Sequence, residues 1–301
     1  MNRAHLDRLR RVAVVTALVI AAAVPSCADR ADSVSRQAVV PGPDSALVSW
    51  PHERIDARCR LPSDPVQLRE EGGAVLVVWE VPAEEVFDAP VLPADPGLLA
   101  WRAAIRADDA DVLRPVADEP EPATEEEADL WEDERANGEL ALSGEVGAIE
   151  PISCLDALLF AYQNARVSQL ERPTEFLASV LRRDGTDGPR LAVVLGAGSE
   201  MYPPKSVYGL DVVDAYRAAG WRWVYALHNH TTQRNGDRLA LGTPTLSSSD
   251  VQLHRAFTAE RGLETARVTN GFYTFSVSTE ELGRMRSRED RAREGNRPDT
   301  E

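Results

Sequence analysis

The sequence Trp-Val-Tyr-Ala-Leu-His-Asn-His occupies residues 223–230 and predicts a buried strand that ends in two histidines. Its first five residues are aromatic, β-branched or otherwise apolar, which are types that favour strands. Side chains two apart on a strand point to the same face, so His228 and His230 can approach one ion together. The run therefore predicts both a core strand and the beginning of a metal site.

The segments around this strand predict an α/β domain over residues 151–280. The apolar spacing after Ser153 is helical, and the serine can cap that helix. Further helices are expected at 210–219 and 250–260, and strands at 176–181, 191–195, 266–268 and 272–277. The expected fold is a mixed sheet flanked by helices.

Asp250 is the candidate third ligand. It follows three serines at the start of a predicted helix, where free N–H groups favour a carboxylate. Two histidines and one carboxylate, with one position left open, form a recurring pattern of catalytic zinc sites. Asp237 in the preceding loop is a rival ligand. His254 lies one turn after Asp250. We expect it on the helix surface, and the alternative is a side chain that faces the metal.

Glu175 is the candidate general base. It stands where a proline-containing turn enters the strand at 176–181. Zinc lowers the pKa of water, and a neighbouring carboxylate can take the proton. The alternative is an exposed glutamate at a strand edge. Trp221 and Trp223 flank the histidine strand and are expected in the core.

The order of these residues resembles the JAMM motif of the MPN (JAB-domain) metalloproteases. The motif consists here of Glu175, then His228–His230, then Ser-x-x-Asp at Ser247–Asp250. The resemblance covers about residues 153–277 and implies an MPN-like fold for the predicted domain. Thr231 stands where the family usually has proline, and the loop that follows is longer than usual.

The resemblance also implies a role for each residue of the motif. His228, His230 and Asp250 would bind zinc. Glu175 would act as general base and then as acid toward the leaving amine. Ser247 would help to hold the oxyanion, where preorganised donors are worth several kcal/mol. The implied reaction is hydrolysis of a peptide or isopeptide bond in a peptide or protein substrate. A non-catalytic, membrane-tethered MPN-type binding module is the alternative.

Residues 1–27 are typical of a signal peptide. A positive start precedes an apolar run at 12–24, which is too short for a membrane span. The run ends in Val-Pro-Ser-Cys, which resembles a bacterial lipobox with Cys27 as the lipidated residue. Cleavage after Ala28 and an uncleaved anchor are the alternatives. We expect an exported protein, anchored in the cell envelope by lipid or else secreted, with residues 28–45 as a tether.

The remaining sequence predicts three minor segments. Residues 46–107 are expected to form a small, loop-rich unit with strands at 54–61 and 74–81. Residues 108–150 are so acidic that they are expected to form a solvated linker. Residues 281–301 are expected to form a charged tail.

Charge and cysteine content exclude one class of partner and suggest one cross-link. The formal net charge is −16, which disfavours binding to nucleic acid. Besides Cys27, the sequence contains only Cys59 and Cys154. In an oxidising compartment these two can pair, and the alternative is two buried free thiols.

Overall fold

An eight-stranded mixed sheet organises the protein in a computed structural model, which describes residues 51, 53–108, 124–230, 233–235, 238–242 and 244–290. Its strands are β1 (Gln67–Glu71), β2 (Ala74–Pro82), β3 (Ala148–Pro151), β4 (Phe176–Arg183), β5 (Arg190–Ala197), β6 (Arg222–Asn229), β9 (Thr265–Thr269) and β10 (Tyr273–Ser278). The strand order is β1-β2-β5-β4-β6-β9-β10-β3. Only the β6–β9 pair is parallel, and the other neighbours within this sheet are antiparallel. A separate two-stranded ribbon pairs β7 (Gln233–Asn235) with β8 (Arg238–Ala240).

Helices cover both faces of the large sheet. They are α1 (Pro96–Asp108), α2 (Glu125–Leu142), α3 (Cys154–Arg166), α4 (Leu210–Ala218) and α5 (Ser248–Arg261). One apolar cluster joins α1 and α3 to the sheet through side chains such as Trp101 and Phe160. A second cluster joins α4 and α5 to the other face through Val213 and Phe257. The mixed α/β architecture expected from the sequence is confirmed.

The elements expected around the histidine strand are present with small shifts at their ends. Ser153 caps α3, since its hydroxyl accepts a hydrogen bond from the Asp156 N–H at 3.2 Å. Strand β6 is the predicted site strand, and its side chains are buried from Tyr225 onward because helices cover both faces of the sheet. Its backbone lies between β4 and β9. Buried backbone groups must be paired, and a central strand pairs them on both edges.

One expectation for the region before residue 108 is wrong. No strand forms at 54–61, where the described structure has only a bridge between Ile55 and Leu92. The Asp56 carboxylate accepts the Arg58 N–H at 2.9 Å and turns the chain instead. The strand expected at 74–81 is present as β2, and it pairs with β5 inside the large sheet. The described residues all belong to one compact unit.

The expected acidic linker at 108–150 contains two ordered elements, α2 and β3. Asn137 of α2 is fully buried. Its amide nitrogen donates to the carbonyl oxygens of Leu246 at 3.4 Å and Arg286 at 3.0 Å, and its amide oxygen accepts the Arg286 N–H at 2.7 Å. These bonds fix α2 beside the segment that leads into α5. Residues 109–123 lie outside the described residues.

The expected charged tail is packed against the protein over its first ten residues. Leu282 and Met285 are buried, and Arg255 of α5 forms an ion pair with Asp290 at 2.6 Å. The rest of the tail, the predicted signal peptide with Cys27, and the predicted tether lie outside the described residues. No helix in the described ranges is both long and apolar enough to span a bilayer.

A disulfide joins Cys59 to Cys154, with their Cα atoms 5.6 Å apart. Both residues are buried. The bond connects the segment before β1 to the first residue of α3, across 95 positions of sequence. It therefore links the N-terminal part of the described chain to the helix that precedes the site strands.

Candidate metal centre

Three ligand atoms meet at the end of β6. The His228 and His230 Nε2 atoms are 3.3 Å apart, and each lies 3.4 Å from the Asp250 Oδ2 atom. Four ligands held about 2.0–2.1 Å from zinc at the corners of a tetrahedron are about 3.3–3.4 Å apart. The three atoms therefore have the spacing of three corners of such a tetrahedron. The described residues contain no other group of three or more histidine, cysteine and acidic side chains spaced to share an ion.

The local sequence explains how each ligand is held. His228 belongs to β6, and the His230 N–H extends the parallel pairing by donating to the Thr269 carbonyl at 2.9 Å. Ser247 caps α5, and its hydroxyl and N–H both donate to Asp250 Oδ2, at 2.7 and 2.9 Å. The Asp250 N–H donates back to the serine hydroxyl at 3.1 Å. This reciprocal cap fixes the carboxylate before any ion binds.

Asn229, the residue between the two histidines, positions the segment that carries Glu175. Its amide oxygen accepts the Phe176 N–H at 2.8 Å, and its amide nitrogen donates to the Thr174 carbonyl at 3.1 Å. These two groups lie immediately on either side of Glu175. A single buried amide therefore connects the ligand strand to the backbone of the predicted base.

A buried polar network supports the same segment from behind. The Thr174 hydroxyl accepts from the side-chain amides of Gln163 at 2.5 Å and Gln169 at 3.0 Å. Gln163 also donates to the Gly198 carbonyl at 2.9 Å. The Glu175 N–H donates to the Met201 carbonyl at 2.7 Å. Because α3, β4 and the loop after β5 share these bonds, the position of Glu175 is defined by three elements.

The pKa values of two carboxyl groups of the site, Glu175 and Asp250, are shifted in opposite directions. Burial raises the pKa of Glu175 to about 7, although His230 and His228 oppose the rise. Burial also opposes ionisation of Asp250, but the two histidines outweigh it and hold the pKa of Asp250 well below its usual range. Asp250 is thus a permanent anion, whereas Glu175 can exchange a proton near neutral pH.

Two residues near the site were missed by the sequence analysis. Burial raises the pKa of Glu134 on α2, with His230 opposing and Asp250 adding to the shift. Burial also raises the pKa of Tyr208, and the charges of Glu175 and Asp250 add to it. No signal in the sequence indicated Glu134, because its segment is acidic and typical of a solvated linker. No local signal distinguishes Tyr208 from any other loop tyrosine.

His254 is completely buried, so its expected place on the helix surface is wrong. Its ring centroid lies 5.7 Å from that of His228, and its Nδ1 atom lies 2.7 Å from the Asp250 main-chain oxygen. Burial lowers the pKa of His254 to about 4, and the neighbouring His228 adds to the effect. The histidine therefore packs directly behind the ligands.

The remaining predicted residues are placed as follows. Trp221 and Trp223 are buried in the cluster between the sheet and helices α4 and α5. Asp237, the rival ligand, lies outside the described residues. Comparisons with protein-family models, with curated proteins and with solved structures find no match to this chain.

Proposed function

We propose that this protein is a zinc-dependent metallopeptidase that hydrolyses a peptide or isopeptide bond. One observation carries the proposal: the His228, His230 and Asp250 ligand atoms are 3.3–3.4 Å apart. That spacing matches tetrahedral zinc with a fourth position left open. The donor set of two imidazoles and one carboxylate is also the set that zinc hydrolases use.

His228, His230 and Asp250 would hold the ion. Bound zinc supplies Lewis acidity, which activates water and polarises a carbonyl group. Glu175 then has the task of taking a proton and returning it to the leaving amine. In the metal-free protein burial raises the pKa of this carboxyl group to about 7, so both of its forms are populated near neutral pH.

Two neighbours support this role for Glu175. Asn229 holds the backbone on both sides of it, which limits the movement of the carboxylate relative to the ligands. In the structure, the Ser247 hydroxyl donates its hydrogen bond to Asp250. Its predicted contribution to the oxyanion therefore requires the hydroxyl to rotate away from Asp250 when substrate binds.

The resemblance to the JAMM motif supports the same reaction. Glu175, the two histidines and Asp250 follow one another along the chain in the order of that motif. The signal-peptide pattern and Cys27 support an exported, lipid-anchored protein whose substrates are peptides or proteins of the cell envelope. The net charge of −16 makes nucleic acid an unsuitable ligand.

Elemental analysis of the purified full chain tests the proposal. We expect about one zinc per chain, lost in His228→Ala and Asp250→Ala, since two remaining ligands hold zinc weakly. Glu175→Gln should retain zinc and lose cleavage of a peptide library. Wild type without zinc, even after supplementation, would overturn the proposal.

The alternative is a binding module built on the same fold. The ribbon of β7 and β8, inserted between His230 and Asp250, is the observation that favours it. Under this alternative zinc binds and structures the loop, but wild type and Glu175→Gln behave identically with every peptide tested.

A further inference from the structure

Two buried nitrogen atoms next to the metal centre have no hydrogen-bond partner among the described residues. They are His228 Nδ1 and His254 Nε2. His228 is 6% exposed and His254 is 0% exposed, so water does not compensate either atom at the protein surface. Buried polar groups without a partner are rare in folded proteins, because each costs about 1–3 kcal/mol.

The hydrogen bond on the other side of His254 defines its tautomer. His254 Nδ1 lies 2.7 Å from the Asp250 main-chain oxygen, and a carbonyl oxygen can only accept. Nδ1 therefore carries the hydrogen. In the neutral ring, Nε2 then presents a lone pair and can only accept.

His228 has the complementary requirement. Its Nε2 atom faces His230 and Asp250 at 3.3 and 3.4 Å, so this atom is the one directed at an ion. A ligating nitrogen uses its lone pair for the metal, which leaves the hydrogen on Nδ1. Histidines that bind metals almost always donate this second N–H to an acceptor. His228 thus needs an acceptor, and the neighbouring His254 ring offers a lone pair.

The spacing of the two rings fits such a bond. Their centroids are 5.7 Å apart and their planes are inclined by 31°. Two imidazoles joined edge to edge by an N–H···N bond of about 2.9 Å have centroids about 5.2 Å apart. A closure of roughly half an ångström, within reach of a side-chain adjustment, brings the two rings to that distance.

One rival acceptor lies on the same face of the sheet. Ser179 of β4 is fully buried, its hydroxyl has no described partner, and it pairs with Ala226, two residues before His228. Leu177, which pairs directly with His228, is apolar. A diagonal neighbour across a sheet is about 7–8 Å away, which a short serine side chain does not span. His254 is the better placed of the two.

We propose that His254 is a positioning residue of the metal centre, whose Nε2 atom accepts the Nδ1–H of His228. The resulting chain of hydrogen bonds runs from the ring of His228 to the ring of His254 and on to the main-chain oxygen of Asp250. It therefore connects two of the three ligand residues. It fixes the tautomer of His228 and couples β6 to α5. This inference rests on the proposed zinc site, but it concerns a residue that touches neither zinc nor substrate.

Three variants of the full chain test the proposal by zinc affinity, measured in competition with a chelator. His254→Leu keeps the volume and removes the acceptor, and His254→Gln keeps an acceptor oxygen. Ser179→Ala removes the rival acceptor and serves as the matched control. We expect His254→Leu to weaken zinc binding about 10–100-fold, His254→Gln to recover part of the loss, and Ser179→Ala to stay within about twofold.

Nitrogen-15 NMR of the histidine side chains supplies the readout that a structural role alone would not change. The chain has five histidines, so each ring can be assigned. In zinc-loaded wild type we expect an exchange-protected Nδ1–H on His228 and the Nδ1–H tautomer on His254. The His228 signal should lose its protection in His254→Leu. Thermal unfolding of the metal-free variants checks that each one folds.

Two results would overturn the proposal: zinc affinity of His254→Leu within about twofold of wild type, or a larger loss in Ser179→Ala than in His254→Leu.

Wild type that binds no zinc would overturn the proposed function instead. In that case nitrogen-15 NMR of the metal-free protein decides whether His254 positions His228. A single Nδ1–H tautomer of His228 that becomes mixed in His254→Leu supports it, and a mixed tautomer already present in wild type refutes it.

Discussion

At the scale of single residues, the candidate metal centre depends on side chains that fix other side chains. Ser247 holds Asp250, and Asn229 holds the backbone on both sides of Glu175. Hydrogen bonds of this kind are costly to break when they are buried, because the abandoned partner is left without water. Their removal should therefore be visible in stability as well as in function.

Replacing Asn229 by alanine leaves the Phe176 N–H and the Thr174 carbonyl without their partner. We expect the free energy of unfolding to fall by about 2–4 kcal/mol, since each buried group costs about 1–3 kcal/mol. Urea unfolding of the metal-free protein measures this change. Zinc content should stay near one per chain, because both histidines remain. Stability equal to that of wild type would contradict the assigned role of Asn229.

The raised pKa of Glu175 predicts a pH dependence of stability. Its pKa is about 7 in the folded protein against an ordinary value of 4.5, so folding favours the neutral form. The stabilisation is complete below the unfolded pKa and is lost as pH rises through about 7. We expect the Tm of the metal-free protein to fall between about pH 5 and pH 8.

Glu175→Gln is the control, because glutamine keeps the shape and cannot ionise. The fall in its Tm over the same pH range should be smaller than in wild type. Some fall should persist in both proteins, since the pKa of His230 is also raised by its partners Asp250 and Glu175, against the effect of burial. Identical slopes for the two proteins would show that Glu175 is not the titrating group.

At the scale of elements, α2 is the least expected part of the fold. Its acidic sequence is typical of a solvated segment, yet Asp133 and Asn137 are buried on one side of it. Tertiary hydrogen bonds to Leu246 and Arg286 replace the apolar stripe that would ordinarily fix a helix.

By contrast, the sequence at the start of α1 contains residues that are typical of a helix N-terminus. Asp95 caps it through the Leu98 N–H at 2.6 Å, and a proline follows as its first residue.

Asn137→Ala should release α2 from the segment before α5. We expect a loss of about 2–4 kcal/mol in the free energy of unfolding, because buried main-chain groups of Leu246 and Arg286 lose their partner. Hydrogen exchange in α2 should also become faster. Glu139→Gln, an exposed change on the same helix, should stay within about 0.5 kcal/mol of wild type. Equal effects of the two substitutions would contradict the docking role of Asn137.

At the scale of the whole molecule, the disulfide is the longest-range covalent constraint in the described chain. Cys59 and Cys154 enclose β1, β2 and both helices up to the start of α3. Restricting the unfolded chain in this way stabilises the folded state, and more so for long loops. The cross-link also suits the oxidising compartment that the signal-peptide pattern predicts.

The double variant Cys59→Ala/Cys154→Ala should be less stable than wild type by about 4.7 kcal/mol, the loop-entropy value for a separation of this size. Guanidinium unfolding with and without reductant measures the difference. Reductant should lower the midpoint of wild type and leave the double variant unchanged. A reductant effect of equal size in both proteins would show that the bond does not contribute.

The sequence by itself determined the elements whose signals are local. Strand β6 follows from a run of apolar and β-branched residues, and the cap of α3 follows from Ser153. The His-x-His pair and the resemblance to the JAMM motif indicated the three side chains that the structure brings together. Periodicity and capping act within a few residues, so a single sequence is enough to read them.

Only the tertiary structure decided the rest. The pairing of β2 with β5, the docking of α2 and the burial of His254 all depend on contacts between residues far apart in the chain. Local sequence does not encode which distant surface covers an acidic helix or which ring packs behind a ligand. These features arise from packing and from the need to pair buried polar groups, and both are properties of the assembled fold.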